Sequence, residues 1–334
     1  MASTQSKQII VVIGATGLQG SGVVEALLND SRWSVRALTQ DANSPKAQNL
    51  LSKYQTADNR LTLVTGYVYD EKSLRTAFEG AYGLFALTSE RYPGRFLTEE
   101  SELQHEIEAG RHIISAAKEC HVQHFVFSSL PDIPTASGGQ FKKIHHMNNK
   151  YAIDRMAREE LEGFTAVMPG FFYNNFIWPQ HCRLRDDGIV QFCMPVLGNK
   201  PMQWTDPAHD MGAFVAKIFQ LGVEKTKGKT YLALGPRISP EDMAQTFTRV
   251  TGKPAVHSPI SFEEFGNLCA TLVGPAFKED FTEMMQWAAV APDDKTCYGA
   301  FELESERLNE QLGVNGSSFE DWLRRSGWTG PESS

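Results

Sequence analysis

His146 and Lys150 stand four residues apart in His145-His146-Met147-Asn148-Asn149-Lys150-Tyr151, so a helix through them presents both on one face. An imidazole titrates near neutrality and can pass a proton to a reacting atom, while an ammonium beside it can hold the hydroxyls of a cofactor. A lone histidine at a helix start also serves as a solvated or structural residue, so the spacing alone leaves both roles open. Ser129, which closes Phe127-Ser128-Ser129, and Tyr173, within Phe171-Phe172-Tyr173-Asn174-Asn175, add hydroxyls that can share the donor role. Near the start of the chain, Gly14, Gly17 and Gly20 recur every third residue. A glycine turn between a strand and a helix aims backbone amides at an anion, and a pyrophosphate is the natural occupant.

The elements that must position these groups follow from local pattern. Residues 9–13 are five consecutive β-branched side chains, suited to a strand covered on both faces, and Val23, Val24, Leu27 and Leu28 mark the helix that follows. Gly14 allows the tight turn, Gly17 a close approach of backbone to ligand, and Gly20 the packing of helix on strand; Thr16, Leu18 and Gln19 lie between them. A second strand over 34–39 ends at Thr39 and Gln40, where an acidic residue would bind a free ribose 2′-hydroxyl and repel a 2′-phosphate. No carboxylate stands there and Lys46 follows closely, which favours NADP(H) over NAD(H), although Asp41 can also be brought round to the ribose. Tyr67, just past a strand over 61–67, reads either as a stacking partner for adenine or as a half-buried surface tyrosine. Thr88, at the end of a strand over 83–88, is placed over the phosphates and nicotinamide ribose.

Strand and helix alternate onward: a helix over 99–120, a strand over 124–130, a loop over 131–141, a helix over 145–162 and a strand over 164–170. This alternation predicts an α/β fold with a doubly wound parallel sheet. Pro169 and Phe172 then fall beside the nicotinamide, and Phe171, Tyr173, Asn174 and Trp178 are candidate substrate contacts. Regular alternation stops over 177–204, which is rich in Trp, Phe and Met. A helix over 206–221 and a strand over 231–234 return to the main unit, and capping boxes are expected at Ser239, Ser261 and Ser318. Residues 265–287 read as core, or else Phe281, Met284, Met285 and Trp287 line an apolar pocket. The expected division is 7–176 with about 205–255 for the dinucleotide-binding domain, and about 177–204 with 256–330 for a smaller substrate domain.

Gly14-Ala15-Thr16-Gly17-Leu18-Gln19-Gly20, Val35-Arg36-Ala37-Leu38-Thr39, Phe127-Ser128-Ser129, Lys150 and Pro169-Gly170-Phe171-Phe172-Tyr173-Asn174-Asn175 together resemble the NmrA-like members of the atypical short-chain dehydrogenase/reductases. The resemblance implies an NADP-preferring Rossmann domain with a smaller C-terminal substrate or partner domain. It also implies a choice, because that family contains both reductases and regulators that only sense nicotinamide nucleotides. The sequence departs from the family pattern at Gln40, where an Arg is usual, and at Tyr67, where an acidic residue is common. In a short-chain dehydrogenase a phenol occupies the position of His146. Hydride addition to an iminium leaves a neutral product and needs no strong acid. The expected activity is therefore reduction of a largely apolar small molecule, an imine, iminium or carbonyl intermediate of secondary metabolism. The alternative is a non-catalytic sensor that docks on a transcription factor or another protein.

Composition narrows the partners. Thirty-two basic and 40 acidic residues give a net charge of -8 with no Lys/Arg block, which argues against direct binding to nucleic acid or an anionic membrane. Cys120, Cys182, Cys193, Cys269 and Cys297 form no Cys-x-x-Cys pair, so thiols are expected, with neither a zinc site nor a disulfide framework. The N-terminal apolar run is too short to span a membrane. A cytoplasmic location is expected, or a nuclear one for the regulator.

Overall fold

The computed structural model describes residues 7–331. Its first unit is built as the β-branched run dictates: β1 (Gln8–Ile13) is buried from Ile10 to Ile13 and leads through the glycine turn into α1 (Leu18–Leu28). The units β2 (Trp33–Thr39), α2 (Pro45–Tyr54), β3 (Leu61–Thr65), α3 (Glu71–Phe78) and β4 (Gly83–Ala86) follow. Next come α4 (His105–Glu119), β5 (His124–Ser128), α5 (Ile133–Ala136), α6 (His145–Glu160) and β6 (Phe164–Pro169). With a seventh strand, Thr230–Ala233, these form one parallel sheet in the order β3, β2, β1, β4, β5, β6, Thr230–Ala233. Strand order reverses between β1 and β4, and ligands of such sheets bind in the crevice beyond the strand C-termini at that point.

The helix α7 (His209–Leu221) packs on α1 through glycines. A Cβ on Gly212 would lie 2.5 Å from the Gly22 carbonyl oxygen, and one on Gly22 would lie 1.7 Å from that of Ala208. Only hydrogen fits at either position.

A second lobe has its own core, dominated by aromatic rings. Tyr173 stacks on Trp204 and Trp322, and Phe176 packs against Phe192, Trp204 and Phe319. Its small sheet pairs Val190–Phe192 with Cys182–Leu184 and Ala255–His257. Two boundaries differ from the sequence reading. The helix Pro240–Thr251, expected in the dinucleotide-binding unit, buries Met243, Ala244 and Phe247 in the second core. Conversely Leu312, with Leu308 and Val314, packs back onto the first core. Both segments are amphipathic, and the sequence shows that each has an apolar face without showing which core receives it.

Smaller corrections are local. The expected loop over 131–141 contains α5, capped by Asp132. The loop after β6 forms a two-residue strand, Phe171–Phe172, paired with Trp204–Thr205, and then a 3-10 turn, Tyr173–Ile177. Ser239, Ser261 and Ser318 all cap helices, yet the reciprocal box closes only at Ser318, through Asp321. All five cysteines carry free thiols. Among the described residues no helix is long and apolar enough to cross a membrane.

The glycine contact makes a direct prediction. Gly212→Ala should lower stability by about 1–3 kcal/mol, the usual penalty of overpacking, read as a lower urea midpoint with unchanged slope. An unchanged midpoint would mean that α1 and α7 can separate freely.

Candidate active site

The glycine turn is set by geometry that other residues resist. Gly14 has φ +67°, its carbonyl oxygen accepts the Gly17 amide at 2.9 Å, and a Cβ on Gly20 would lie 2.2 Å from the same oxygen. The first turn of α1 therefore starts directly against the end of β1. Beside it runs a groove of about 630 Å³ bordered by Gly14, Thr16, Thr39, Gln40, Lys46 and Thr88. A dinucleotide fits this groove. Its anion-binding end is the start of α1, and its far end is the loop after β2. There Asp41 also borders the groove, its Oδ1 accepting the Asn43 amide at 2.8 Å, and Ser44 caps α2. Tyr67 does not border the groove: its ring packs edge-on against Tyr69, which does. Leu18 is half exposed and Gln19 turns inward, its Oε1 accepting the Ser128 hydroxyl at 2.7 Å.

Past Thr88 and Arg91 the groove opens into a cavity of about 230 Å³ between the two lobes. Gln19, Ser129, His146, Lys150, Pro169, Phe171, Phe172 and Trp178 all line it. The second lobe supplies Phe281, Met284 and Tyr298. Four sequence candidates are elsewhere, among them Trp287, which is buried in the second core. Tyr173 is fully buried in the aromatic core, with its hydroxyl donated to the Ser317 carbonyl at 3.2 Å, so it is neither donor nor substrate contact. Asn174 borders a separate surface groove with Gly22, His209 and Trp322. Met285 is buried in the second core, one position round the helix from the cavity-lining Met284.

Two carboxylates that sequence inspection passed over stand behind the cavity wall, each paired with a side chain that lines it. Asp280, at 0% exposure, accepts the His146 amide on Oδ2 at 2.8 Å and pairs with His146 Nδ1 through Oδ1. This leaves Nε2 of His146 without a hydrogen bond to any described residue, on a ring that stacks on Phe281 and lines the cavity. Burial pulls the imidazole pKa down, and the charge and hydrogen bond of Asp280 outweigh it, so the net shift is upward. Glu106, also at 0% exposure, pairs with the Lys150 ammonium and accepts the Thr88 hydroxyl at 2.7 Å. Burial disfavours the ammonium, but Glu106 and Glu90 together raise its pKa above the ordinary lysine value. Glu90 lines the same cavity; burial opposes its charge, and Lys150 and His146 hold its carboxyl below the usual range.

Tyr298 was also missed. Cys297, Tyr298 and Gly299 all have positive φ, at 49°, 58° and 76°, forming a left-handed turn that costs about 1–2 kcal/mol for each non-glycine residue. Such strain persists only where the surroundings over-determine it. Here Trp287 Nε1 donates to the Tyr298 carbonyl at 2.7 Å, and the Cys297 amide donates to Gln203 Oε1 at 3.2 Å. The Tyr298 ring is thereby held edge-on to Phe171, centroids 4.8 Å apart. Burial raises its phenol pKa well above the ordinary value, so the group stays protonated.

Comparison with known proteins places this arrangement. The model of the NmrA-like family matches residues 6–323. The chain belongs to that family. An NmrA-like family domain-containing oxidoreductase of Aspergillus japonicus, himF, is 30% identical over 274 residues, 78% of this chain and 79% of himF. Another of that description, malD of Malbranchea aurantiaca, is 27% identical over 344 residues, 96% of each chain. In fold the chain is similar to NmrA, a negative transcriptional regulator solved in complex with NADP, at a TM-score of 0.75 and 21% identity over 96% of this chain and 95% of NmrA. The NmrA-like family thus holds both proteins named as oxidoreductases and a regulator.

The His146–Asp280 pair predicts a titration. With its pKa raised, His146 should remain imidazolium above the ordinary value near 6.5 and lose its proton only as pH rises past that point. Asp280→Asn should lower the His146 pKa, because the adjacent opposite charge that raises it is lost. Imidazole resonances in heteronuclear NMR would report both values, and equal titrations in the two proteins would refute the pairing.

Proposed function

We propose that this NmrA-like protein is an NADP(H)-dependent reductase of a compact, largely apolar small molecule: an imine, iminium or carbonyl intermediate of secondary metabolism. The observation that carries this reading is the aromatic cavity at the inner end of the groove, where Nε2 of His146 lies free beside Lys150. At about 230 Å³ it is a little below the roughly 300–1,000 Å³ of most small-molecule sites, which favours a small occupant. Gly14, Thr16, Gly17 and Gly20 form the pyrophosphate end, and Thr39, Gln40 and Lys46 the adenosine end. Thr88, Pro169 and Phe172 lie toward the nicotinamide, and Lys150 toward its ribose.

When bound, a reduced nicotinamide supplies hydride. The chain's own residues supply orientation and protons. For a carbonyl substrate, the oxygen gains the proton of His146 Nε2 as the carbon accepts hydride, and Asp280 keeps the imidazolium in place. For an iminium, nitrogen already carries the charge that hydride neutralises, so no proton is needed. Phe171, Phe172, Trp178 and Phe281 then hold the flat substrate and exclude water.

A second reading rests on Lys150. Its ammonium is tied to buried Glu106, an arrangement that serves a nucleotide sensor docking on a transcription factor or other protein as well as it serves an enzyme.

His146→Ala separates the cases. It should reduce turnover of carbonyl probes by about 10²–10⁴-fold, iminium probes by less than tenfold, and leave NADPH affinity intact, followed as loss of NADPH absorbance. NADPH binding without consumption across both probe sets in the wild type would favour the sensor. At the adenosine end, Lys46→Glu should weaken NADPH about tenfold in calorimetric titration while NADH changes little, since loss of one charge contact at the 2′-phosphate is worth about 1.4 kcal/mol. Equal weakening of both cofactors would contradict the NADP assignment.

A further inference from the structure

The second-lobe wall of the cavity holds two polar side chains that the proposed reduction does not use. Gln180 and His181 are each 5% exposed, and both line the cavity. Gln180 Oε1 and His181 Nδ1 are sealed inside without a hydrogen-bond partner. His181 Nε2 has no hydrogen bond to a described residue, and the Gln180 amide meets only the Cys269 sulfur. The surrounding wall is apolar, with His181 packed edge-on against Phe265 at 5.1 Å and Leu272, Val273 and Met284 adjoining. The Cys269 thiol beside Gln180 is a weak hydrogen-bonding group. Buried polar groups are almost always paired, and with Oε1 and Nδ1 sealed, the polar atoms of this pair left open to a cavity occupant are the two Nε2.

The chemistry of that ligand follows from which atoms are free. A sealed imidazole nitrogen without a partner is less costly as a lone pair than as an orphaned N–H, which leaves His181 with its hydrogen on Nε2. The Gln180 amide, with its oxygen sealed, likewise offers N–H. Two donors match one carbonyl oxygen with two lone pairs. The wall also carries no positive charge: burial holds the His181 pKa at about 3 and raises that of Cys269 to about 12, so both are neutral. The charged groups that line the cavity, Glu90, Arg91, His146 and Lys150, all come from the dinucleotide-binding lobe. A carboxylate against Gln180 and His181 would lose its water without gaining a counter-charge.

We infer that Gln180 and His181 form a recognition subsite for a neutral carbonyl of the amide or lactam kind, borne by the substrate away from its reacting centre. This rests on reading the cavity as a substrate site, and it narrows the substrate to a neutral-carbonyl compound.

The test uses binding to the full chain saturated with NADPH, with three probes of one ring system: carbostyril, a lactam; quinoline, which lacks the carbonyl; and quinaldate, its carboxylate. Calorimetry or ligand-observed NMR should show carbostyril binding about tenfold tighter than quinoline, and quinaldate weakest. In Gln180→Met and His181→Phe that ratio should fall to about one. Because each variant removes an unpaired polar group, both should melt at or above the wild-type temperature while keeping NADPH affinity. Equal binding of carbostyril and quinoline by the wild type, or tightest binding of quinaldate, would overturn the subsite. Variants that melt lower while preserving the ratio would overturn it too, by showing that the pair serves the fold. If the discrimination holds but no imine or carbonyl compound consumes NADPH, the reductase reading fails and the subsite stands. If NADPH is consumed without discrimination, the subsite alone fails.

Discussion

Two carboxylates removed entirely from water fix α6, the helix on which the lobes meet. An isolated carboxylate in a low-dielectric interior is so unfavourable that it must be paired or neutralised. Glu106 on α4 finds Lys150 on α6, and Asp280 from the second lobe finds His146, one turn earlier on the same helix. The side of α6 facing the cavity is therefore fixed from two directions. Asp280 reaches it across the lobe boundary, gripping the backbone amide as well as the ring, so the cavity takes its shape when the lobes close. Removing either carboxylate would leave a buried cation unpaired; removing either cation would strand a buried anion.

What could be read from sequence, and what could not, divides by the range of the interaction. The glycine turn, the alternating strands and the helix expected over 145–162, which ends two residues earlier, are local matters of β-branching, capping and backbone freedom. Glu106 and Asp280 lie 44 and 134 residues from their partners, and neither sits in a distinctive motif. Isolated acidic residues on amphipathic helices read as solvated. Their function comes only from the tertiary contact.

Misplaced substrate residues show a finer limit. Phe172 and Tyr173 are adjacent, as are Met284 and Met285, yet one of each pair meets the cavity and the other meets the core. Successive residues on a helix differ by about 100° in direction, so a shift of one position exchanges cavity for core. Composition identifies an aromatic or Met-rich wall; only the exact rotation identifies which side chains face inward. Tyr173 went to the core because the 3-10 turn after Phe172 swings it against Trp204 and Trp322.

The lobes also carry different kinds of stored cost. In the dinucleotide-binding lobe, tight contacts at Gly14, Gly20 and Gly22 are accommodated by deleting side chains, and its unpaired atoms, Glu106 Oε2, His124 Nδ1 and Asp154 Oδ2 among them, belong to residues that do not line the cavity. On the second-lobe side the costs lie at the cavity itself: Cys297 and Tyr298 are held in left-handed backbone, and Gln180 and His181 each keep a buried atom without a partner. Such features weaken a fold that gains nothing from them, and natural structures keep them where a bound molecule restores the balance. All four residues lie on or next to one cavity wall. This division of cost gives the cavity, rather than the groove, the features from which a particular ligand can be inferred.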